Sequence, residues 1–231
     1  MIKLEHSAAI MMRGFVLAAL LIAAATAVPA GRANAQEKPL ATLAEVRHEL
    51  RQGGLVIYLR HAATDQAGAN DAPEDLTSCD RQRHLSAKGK ADALQIGESI
   101  KALGIPIGTV TTSPYCRAKD TARLSFGRFV ENPDLGFVIG STSAETRRRT
   151  ESLRRMLGTP PEKGTNNVVV SHSANLLEAA DIFAKPEGAA YIFRPLANGQ
   201  FQPLARILPE DWVAARIRSS APLVPRPATD K

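Results

Sequence analysis

Two short apolar runs constrain the fold of this chain more than any other feature of its sequence. Residues 55–59 read LVIYL and residues 167–170 read NVVV, without the regular alternation of apolar and polar residues that a half-exposed strand shows. Such runs are typical of strands that are buried on both faces. Amphipathic segments alternate with apolar runs along the rest of the chain, and this pattern predicts a layered α/β domain.

Helix starts can be placed from capping residues. Thr42 and Glu45 form a capping box ahead of a run of apolar positions, and Ser86 caps a second helix. Ser113 is predicted to be an N-cap, because Pro114 follows it at the first helical position. The remaining predicted elements are helices over 115–126, 144–157, 175–183 and 209–218, a strand over 109–112, and a hairpin formed by 189–194 and 201–208.

The first 35 residues have the features of a cleaved secretory signal. Lys3 and Arg13 precede an apolar run over residues 15–30, and residues 33–35 (ANA) offer small side chains where a signal peptidase cleaves. A membrane anchor is the alternative interpretation. The run is 16 residues long and rich in alanine, whereas a spanning helix needs about 20 strongly apolar residues. The pattern therefore favours cleavage.

This interpretation divides the chain into a signal peptide over 1–35, a single domain over 36–220 and a flexible tail over 221–231. We expect the mature chain to be periplasmic or secreted, without stable membrane insertion after cleavage. Cys79 and Cys116 are the only cysteines, and both lie in the exported part. In an oxidising compartment they can form one disulfide, and two free thiols are the alternative.

The chain is basic, with a formal net charge of +6 at pH 7. This balance suits small anionic ligands and does not by itself indicate nucleic acid binding. The most basic stretch, RRRTESLRR over residues 147–155, lies in a predicted helix in which Thr146, Thr150, Leu153 and Leu157 form one stripe. That stripe faces the core and turns the arginines to solvent, so we expect no nucleic acid partner.

Cationic and imidazole side chains follow three of the predicted strands. Arg60 and His61 come directly after the first apolar run, Arg117 lies in the helix that follows the strand over 109–112, and His172 follows the second apolar run. The carboxyl ends of parallel strands meet at the edge of the sheet where ligands bind, so these four side chains are expected to share a pocket. Guanidinium groups pair with phosphate oxygens, and a neutral imidazole can attack phosphorus. The residues therefore predict phosphoryl transfer through a phosphohistidine.

The segments that carry these residues resemble the motifs of the histidine phosphatase superfamily, in the branch of the phosphoglycerate mutases and small phosphohistidine phosphatases. They read LRHAATD, LSAKGKADA, SPYCRAKDTA and VVVSHSANL, in the family's order and spacing, and span roughly residues 54–183. The resemblance implies a three-layer sandwich with a mostly parallel central sheet flanked by helices. It also implies that His61 is the nucleophile and that Arg60, Arg117 and His172 bind the phosphoryl group.

The general acid is the least constrained of the implied roles. In the mutase-like branch it is a glutamate somewhat under thirty residues after the second arginine, and Glu145 stands 28 residues after Arg117. Asp65, Asp71 and Asp75, in a long polar loop predicted over residues 62–84, are the alternatives. Substrates with good leaving groups, such as phosphohistidine, need no acid.

These observations predict an exported phosphomonoesterase that hydrolyses phosphate esters or phosphohistidine through a phosphohistidine intermediate on His61. The alternative is a catalytically weak protein on the same fold that binds phosphate or phosphosugars, because Ala62 and Ser173 stand where the family usually has glycine. We expect no cofactor. Metal binding is also not expected, since His61, His84 and His172 lack the paired spacing of zinc sites.

Overall fold

The computed structural model describes residues 40–65 and 76–220. The predicted signal segment and tail, together with Asp71 and Asp75 of the long loop, lie outside the described residues. Within the described ranges, no helix combines the length and the apolar character that crossing a membrane requires.

The described part of the chain folds into six α-helices and one six-stranded sheet. The helices are α1 (Leu43–Gln52), α2 (Ala87–Ala102), α3 (Cys116–Phe126), α4 (Ser143–Gly158), α5 (Ser173–Ala180) and α6 (Pro209–Ser220). The strands are β1 (Val56–Arg60), β2 (Ile107–Thr112), β3 (Val130–Glu131), β4 (Asn166–Ser171), β5 (Ala190–Pro195) and β6 (Phe201–Ile207). The α/β fold that the sequence predicts is confirmed.

The sheet is mostly parallel, with the strand order β3-β2-β4-β1-β5-β6. β1 pairs in parallel with β4, and β2 pairs in parallel with both β4 and β3. β5 is antiparallel to its neighbours β1 and β6. Because β2, β4 and β1 are parallel neighbours, the residues that follow these three strands emerge at the same edge of the sheet.

Strand β1 shows why the domain has three layers. Ile57 and Leu59 pack in the core that the sheet shares with α1, α2, α3 and α6. Val56 and Tyr58 point the other way, into the core that the sheet shares with α4 and α5. Side chains alternate between the two faces of a strand, so an unbroken apolar run covers both. Each buried aliphatic side chain contributes about 1.5–3 kcal/mol, so β1 stabilises the cores on both sides of the sheet.

Most predicted helix starts are confirmed. The Thr42 backbone N–H donates to Glu45 Oε2 at 2.7 Å, and the Ser86 hydroxyl accepts from the Gly89 N–H at 3.0 Å. In α4, Leu153 is buried while the arginines at 147, 148, 154 and 155 are exposed, as the helical stripe predicts.

The N-cap of α3 was predicted two residues too early, and the helix itself one residue too early. Tyr115, and not Ser113, occupies the N-cap position, and the helix begins at Cys116. The hydroxyl of Ser113 instead lies 2.8 Å from Nε2 of His172. The same hydroxyl also accepts from the Tyr115 N–H at 3.3 Å, so a local hydrogen bond and the contact with His172 together place Ser113 in the site described below.

Helix α5 and strand β3 also differ from the prediction. Helix α5 begins at Ser173 and ends at Ala180, where Asp181 adopts a left-handed conformation with φ of 56°. Strand β3 was not predicted at all. It has only two residues, and Val130 is 65% exposed, so no apolar run marks it in the sequence.

Candidate active site

The predicted site lies where β1, β4 and β2 end. Arg60, the last residue of β1, is the register partner of Ser171, the last residue of β4. The His61 backbone N–H donates to the Ser171 carbonyl at 3.0 Å, and the Ser113 N–H donates to the Val170 carbonyl at 2.9 Å. The main-chain ladder thus continues one residue beyond the strands and holds the following side chains at one edge of the sheet.

His61 is buried, with 2% of its surface exposed, and its ring orientation is defined. Nδ1 lies 3.0 Å from the Ala62 carbonyl oxygen. A carbonyl can only accept, so Nδ1 carries the proton and Nε2 carries the lone pair of the neutral ring. Burial, and after it the charge of Arg117, lowers the pKa of His61 well below its usual value. The ring is therefore neutral at physiological pH, the form that can act as a nucleophile.

His172 lies beside His61, with its ring centroid 5.4 Å away and the two rings edge to face. Nη2 of Arg117 approaches Nδ1 of His172 at 3.4 Å, a long hydrogen bond in which only the guanidinium can donate. Nε2 of His172 then donates to Ser113 Oγ at 2.8 Å. Burial and the charge of Arg117 also lower the pKa of His172 well below its usual value. Tyr58 fixes the main chain, since its hydroxyl donates to the His172 carbonyl at 2.6 Å.

Arg117 is fully buried at the start of α3. Its guanidinium carbon lies 4.5 Å from the centroid of the Tyr115 ring and 5.8 Å from that of Phe137. The same two aromatic rings pack against His172, with centroid distances of 5.0 and 5.1 Å. Cation–π contact stabilises a guanidinium removed from water. Sequence reasoning missed both aromatic residues, because neither belongs to a periodic pattern that points to the site.

Arg60 makes its contacts with the loop between α5 and β5. Its Nη1 donates to the Ala184 carbonyl at 3.0 Å, and its Nη2 pairs with Glu187 Oε1 at 3.1 Å. Both side chains of this ion pair are 16% exposed. Burial lowers the pKa of Arg60, and the charge of Glu187 opposes that shift. Glu187 was also missed from the sequence, since it stands alone in a loop without a recognisable motif.

A third arginine acts on the site through its charge. Arg83 lowers the pKa of Arg60, His61 and His172. It lies in the long polar loop predicted over residues 62–84. Gln82, the residue before it, is fully buried.

The cysteines connect this loop to α3. Cys79 and Cys116 form a disulfide with a Cα–Cα distance of 5.8 Å, which decides between the two alternatives left open by the sequence. The Gln82 side chain spans the same junction, because its Oε1 accepts from the Cys116 N–H at 3.0 Å. The disulfide and this hydrogen bond hold Cys116 close to Gln82, and these two residues directly precede Arg117 and Arg83.

Ala62 fits its position without backbone strain. It is not among the described non-glycine residues with positive φ, so the local conformation does not require glycine there. The Ala62 N–H donates to Thr121 Oγ1 at 2.9 Å, and that hydroxyl donates to the Arg117 carbonyl at 2.7 Å. The alanine after His61 therefore belongs to a hydrogen-bonded link between β1 and α3.

Among the described residues, Glu145 makes its hydrogen bonds and ion pair within α4 and its N-cap, and not with these side chains. Its Oε2 accepts from the backbone N–H and the hydroxyl of Thr142 at 2.9 and 2.8 Å, which completes a capping box at the start of α4. Its Oε1 lies 3.9 Å from Arg149. The hydrogen bonds from Thr142 lower the pKa of the Glu145 carboxyl. The exposed Asp65 is held through its backbone N–H, which donates to the His84 carbonyl at 3.0 Å.

The structure thus brings together Arg60, His61, Arg117 and His172, and it adds Ser113 to them. Over residues 40–65 and 76–220, no group of three or more His, Cys, Asp or Glu side chains is placed to hold a metal ion. The assembled groups are two neutral imidazoles and two guanidinium ions. Glu187 balances the charge of Arg60, and a dianion bound between the two arginines would supply the negative charge that Arg117 calls for.

Comparison with known proteins shows a distant likeness to several solved structures. No protein-family model matches the chain, and no curated protein matches it. One similar structure is the product of an open reading frame of Mycobacterium tuberculosis, at 19% identity over 67% of this chain and 97% of that one, with a TM-score of 0.46. Another is the protein histidine phosphatase SixA complexed with tungstate, at 14% identity over 68% and 98%, with a TM-score of 0.46. A third is a mycobacterial glucosyl-3-phosphoglycerate phosphatase, at 13% identity over 66% and 98%, with a TM-score of 0.48.

At these identities and TM-scores the likeness does not assign an activity. The evidence for the activity of this protein comes from the side chains of the site itself.

Proposed function

We propose that this protein is a phosphomonoesterase in which His61 is the nucleophile. The observation that carries the proposal is the pairing of two buried, neutral imidazoles 5.4 Å apart with the buried guanidinium of Arg117. The lone pair on Nε2 of His61 is available, because Nδ1 donates to Ala62. This combination suits attack on a phosphoryl group that the arginines hold in place.

The reaction has two steps. Nε2 of His61 attacks phosphorus, the bond between phosphorus and the ester oxygen breaks, and the leaving oxygen takes up a proton. Water then attacks phosphorus, the bond to Nε2 breaks, and inorganic phosphate leaves with His61 neutral again. Arg60 and Arg117 bind the equatorial oxygens, where negative charge spreads in both transition states. His172 joins them when the bound dianion raises its pKa and the ring gains a second N–H.

Glu145 remains our proposed proton donor for alkyl phosphates, whose leaving groups are poor. Its carboxyl group is partly exposed, with 41% of the side chain accessible. The contacts with Thr142 lower its pKa, so its protonated form is populated only at acid pH. Aryl phosphates and phosphohistidine have better leaving groups and do not depend on this proton.

We also propose that the protein acts outside the cytoplasm. Stable disulfides are typical of oxidising compartments, and the Cys79–Cys116 bond lies next to Arg117. The predicted signal segment over residues 1–35 supports the same location. The natural substrate is then a phosphate ester or a phosphohistidine of the periplasm or the extracellular medium.

The proposal is tested by rapid quench of the protein with an aryl phosphate, followed by mass spectrometry. We expect one phosphate on His61, and we expect His61→Ala to lower turnover by about 10³-fold or more, as loss of a nucleophile does. His48, exposed on α1, provides the matched control, and His48→Ala should keep full activity.

A phosphate-binding protein without catalysis would give a different result. It would bind inorganic phosphate but would form no phosphohistidine, and His61→Ala would leave any residual hydrolysis unchanged. That result would reject the enzyme proposal in favour of the alternative.

A further inference from the structure

The loop between α5 and β5 places one carboxylate against the site, and nothing in the motifs points to it. We infer that Glu187 is a positioning residue that holds Arg60 in the orientation needed to bind a phosphoryl group. The inference rests on the proposed function. It adds that Glu187 controls how tightly the site binds an anion.

Glu187 contacts two parts of the first motif at once. Its Oε1 pairs with Nη2 of Arg60 at 3.1 Å. Its Oε2 accepts from the Thr64 N–H at 2.8 Å, and the Thr64 hydroxyl approaches both carboxylate oxygens at 3.3 and 3.4 Å. A partly buried, charge-assisted pair with further hydrogen bonds on the carboxylate has a fixed geometry, in contrast to a solvated surface pair.

The contacts of Arg60 with the loop do not involve its Nε. Nη1 and Nη2 are both engaged, by the Ala184 carbonyl and by Glu187. Nε is buried and has no hydrogen-bond partner among the described residues. A buried N–H without a partner is unfavourable, and an oxygen of a bound phosphoryl group would satisfy it. Glu187 and Ala184 therefore hold the guanidinium in an orientation in which the Nε–H is without a partner and can donate to an anion.

The main chain ties the same loop to the nucleophile. The Gly188 N–H donates to the His61 carbonyl at 2.9 Å, and the Arg60 N–H donates to the Ala189 carbonyl at 3.0 Å. The segment that carries Glu187 is thus hydrogen-bonded to the main chain of both Arg60 and His61. The main chain next to Glu187 is therefore held by hydrogen bonds, and this limits the movement of its carboxylate.

Neutralising Glu187 affects the affinity of the site for an anion in opposite directions, depending on whether Glu187 acts only through its charge or by positioning Arg60. The site already contains the charges of Arg60 and Arg117, and Arg83 adds to them. Removing a negative charge makes the site more cationic, and by Coulomb's law this would tighten the binding of an anion. If Glu187 acts by positioning Arg60, the binding weakens, because the guanidinium loses its fixed orientation.

The experiment compares Glu187→Gln with the full-length wild-type protein. The dissociation constant of inorganic phosphate is measured by calorimetry, and kcat and KM are measured with p-nitrophenyl phosphate. We expect the phosphate Kd and the KM each to rise about tenfold, or about 1.4 kcal/mol, while kcat changes by less than about threefold. Glu178→Gln removes the same charge from an exposed position on α5 and should change neither constant by more than about twofold.

A pH profile separates positioning from acid catalysis. We expect the profile of kcat to keep its shape in Glu187→Gln, and Glu187→Asp, which restores the charge, to recover part of the lost affinity. Loss of one limb of the profile would make Glu187 a catalytic acid or base and would overturn the inference. If the Gln variant does not fold, the Asp variant carries the test, with a smaller rise in Kd expected.

The remaining outcomes distinguish this inference from the proposed function. An unchanged or lower phosphate Kd in Glu187→Gln overturns the role of Glu187, whatever the activity of the wild type. A wild-type protein that binds phosphate without turnover overturns the proposed enzyme, and the Kd ratio still decides on Glu187. A wild-type protein that binds no phosphate overturns both.

Discussion

Acidification should destabilise this protein through its two site histidines. The pKa values of His61 and His172 are lowered well below the usual value in the folded state, chiefly by burial. In the unfolded chain each ring takes up a proton below about pH 6.5. The unfolded state then binds more protons than the folded state, so the free energy of unfolding falls as the pH falls from about 6.5 towards the folded pKa values.

The size of the effect follows from proton counting. Each ring that stays neutral in the folded state costs about 1.4 kcal/mol per pH unit below the unfolded pKa. Two rings therefore cost about 3 kcal/mol at pH 5.5 relative to neutral pH. That amount is a large part of the stability of a typical domain.

Chemical denaturation at pH 7.5 and 5.5 measures this loss. The wild type and the double variant His61→Gln, His172→Gln are compared, and the variant should lose about 3 kcal/mol less between the two pH values. His48→Gln, changed at an exposed position of α1, should behave as the wild type does. Saturating phosphate should reduce the loss in the wild type, because a bound dianion raises the pKa of both rings.

Equal losses in the wild type and the double variant would refute the reasoning. They would mean that the two rings are protonated in the folded state at pH 5.5. In that case His61 would not be a ready nucleophile at this pH, and the charge balance of the site would need a different account.

Three other results are expected. Arg117→Lys should lower kcat/KM for an aryl phosphate by about 10²-fold, because lysine lacks the planar fork and the stacking on Tyr115; steady-state kinetics measure this, and a full rate would contradict it. Reduction of the Cys79–Cys116 bond should lower the free energy of unfolding by about 4 kcal/mol, as expected for closure of a 37-residue loop; denaturation with and without reductant measures it. Glu145→Gln should slow hydrolysis of alkyl phosphates at acid pH and spare aryl phosphates, since only its protonated form can donate; equal effects on both substrate classes would count against its role.

Part of the site could be predicted because it follows from local pattern. The run that forms β1 is apolar on both faces, so it had to be covered by helices on both sides, and the core contacts of Ile57 and Tyr58 on opposite faces confirm this. The ends of β1 and β4 were likewise visible in the sequence. Parallel pairing then placed Arg60 opposite Ser171, and with them the two histidines that follow.

Local rules failed where a residue had a better partner far along the chain. Ser113 had the composition of an N-cap, yet its hydroxyl contacts His172, 59 residues away in sequence. The spacing of residues along the sequence does not report which distant group comes within hydrogen-bonding distance of such a side chain.

The amino-acid sequence by itself determined the layers of this protein and the strand ends beyond which the four side chains of the proposed site follow. Periodicity, capping and strand length depend on residues within a few positions of one another, so they can be read along the chain. The tertiary structure alone decided that Glu187 holds Arg60, 127 residues away in sequence. It also decided that Tyr115 and Phe137 enclose Arg117. Such contacts depend on the order of the strands and on the paths of the loops, which bring together residues that no local period relates.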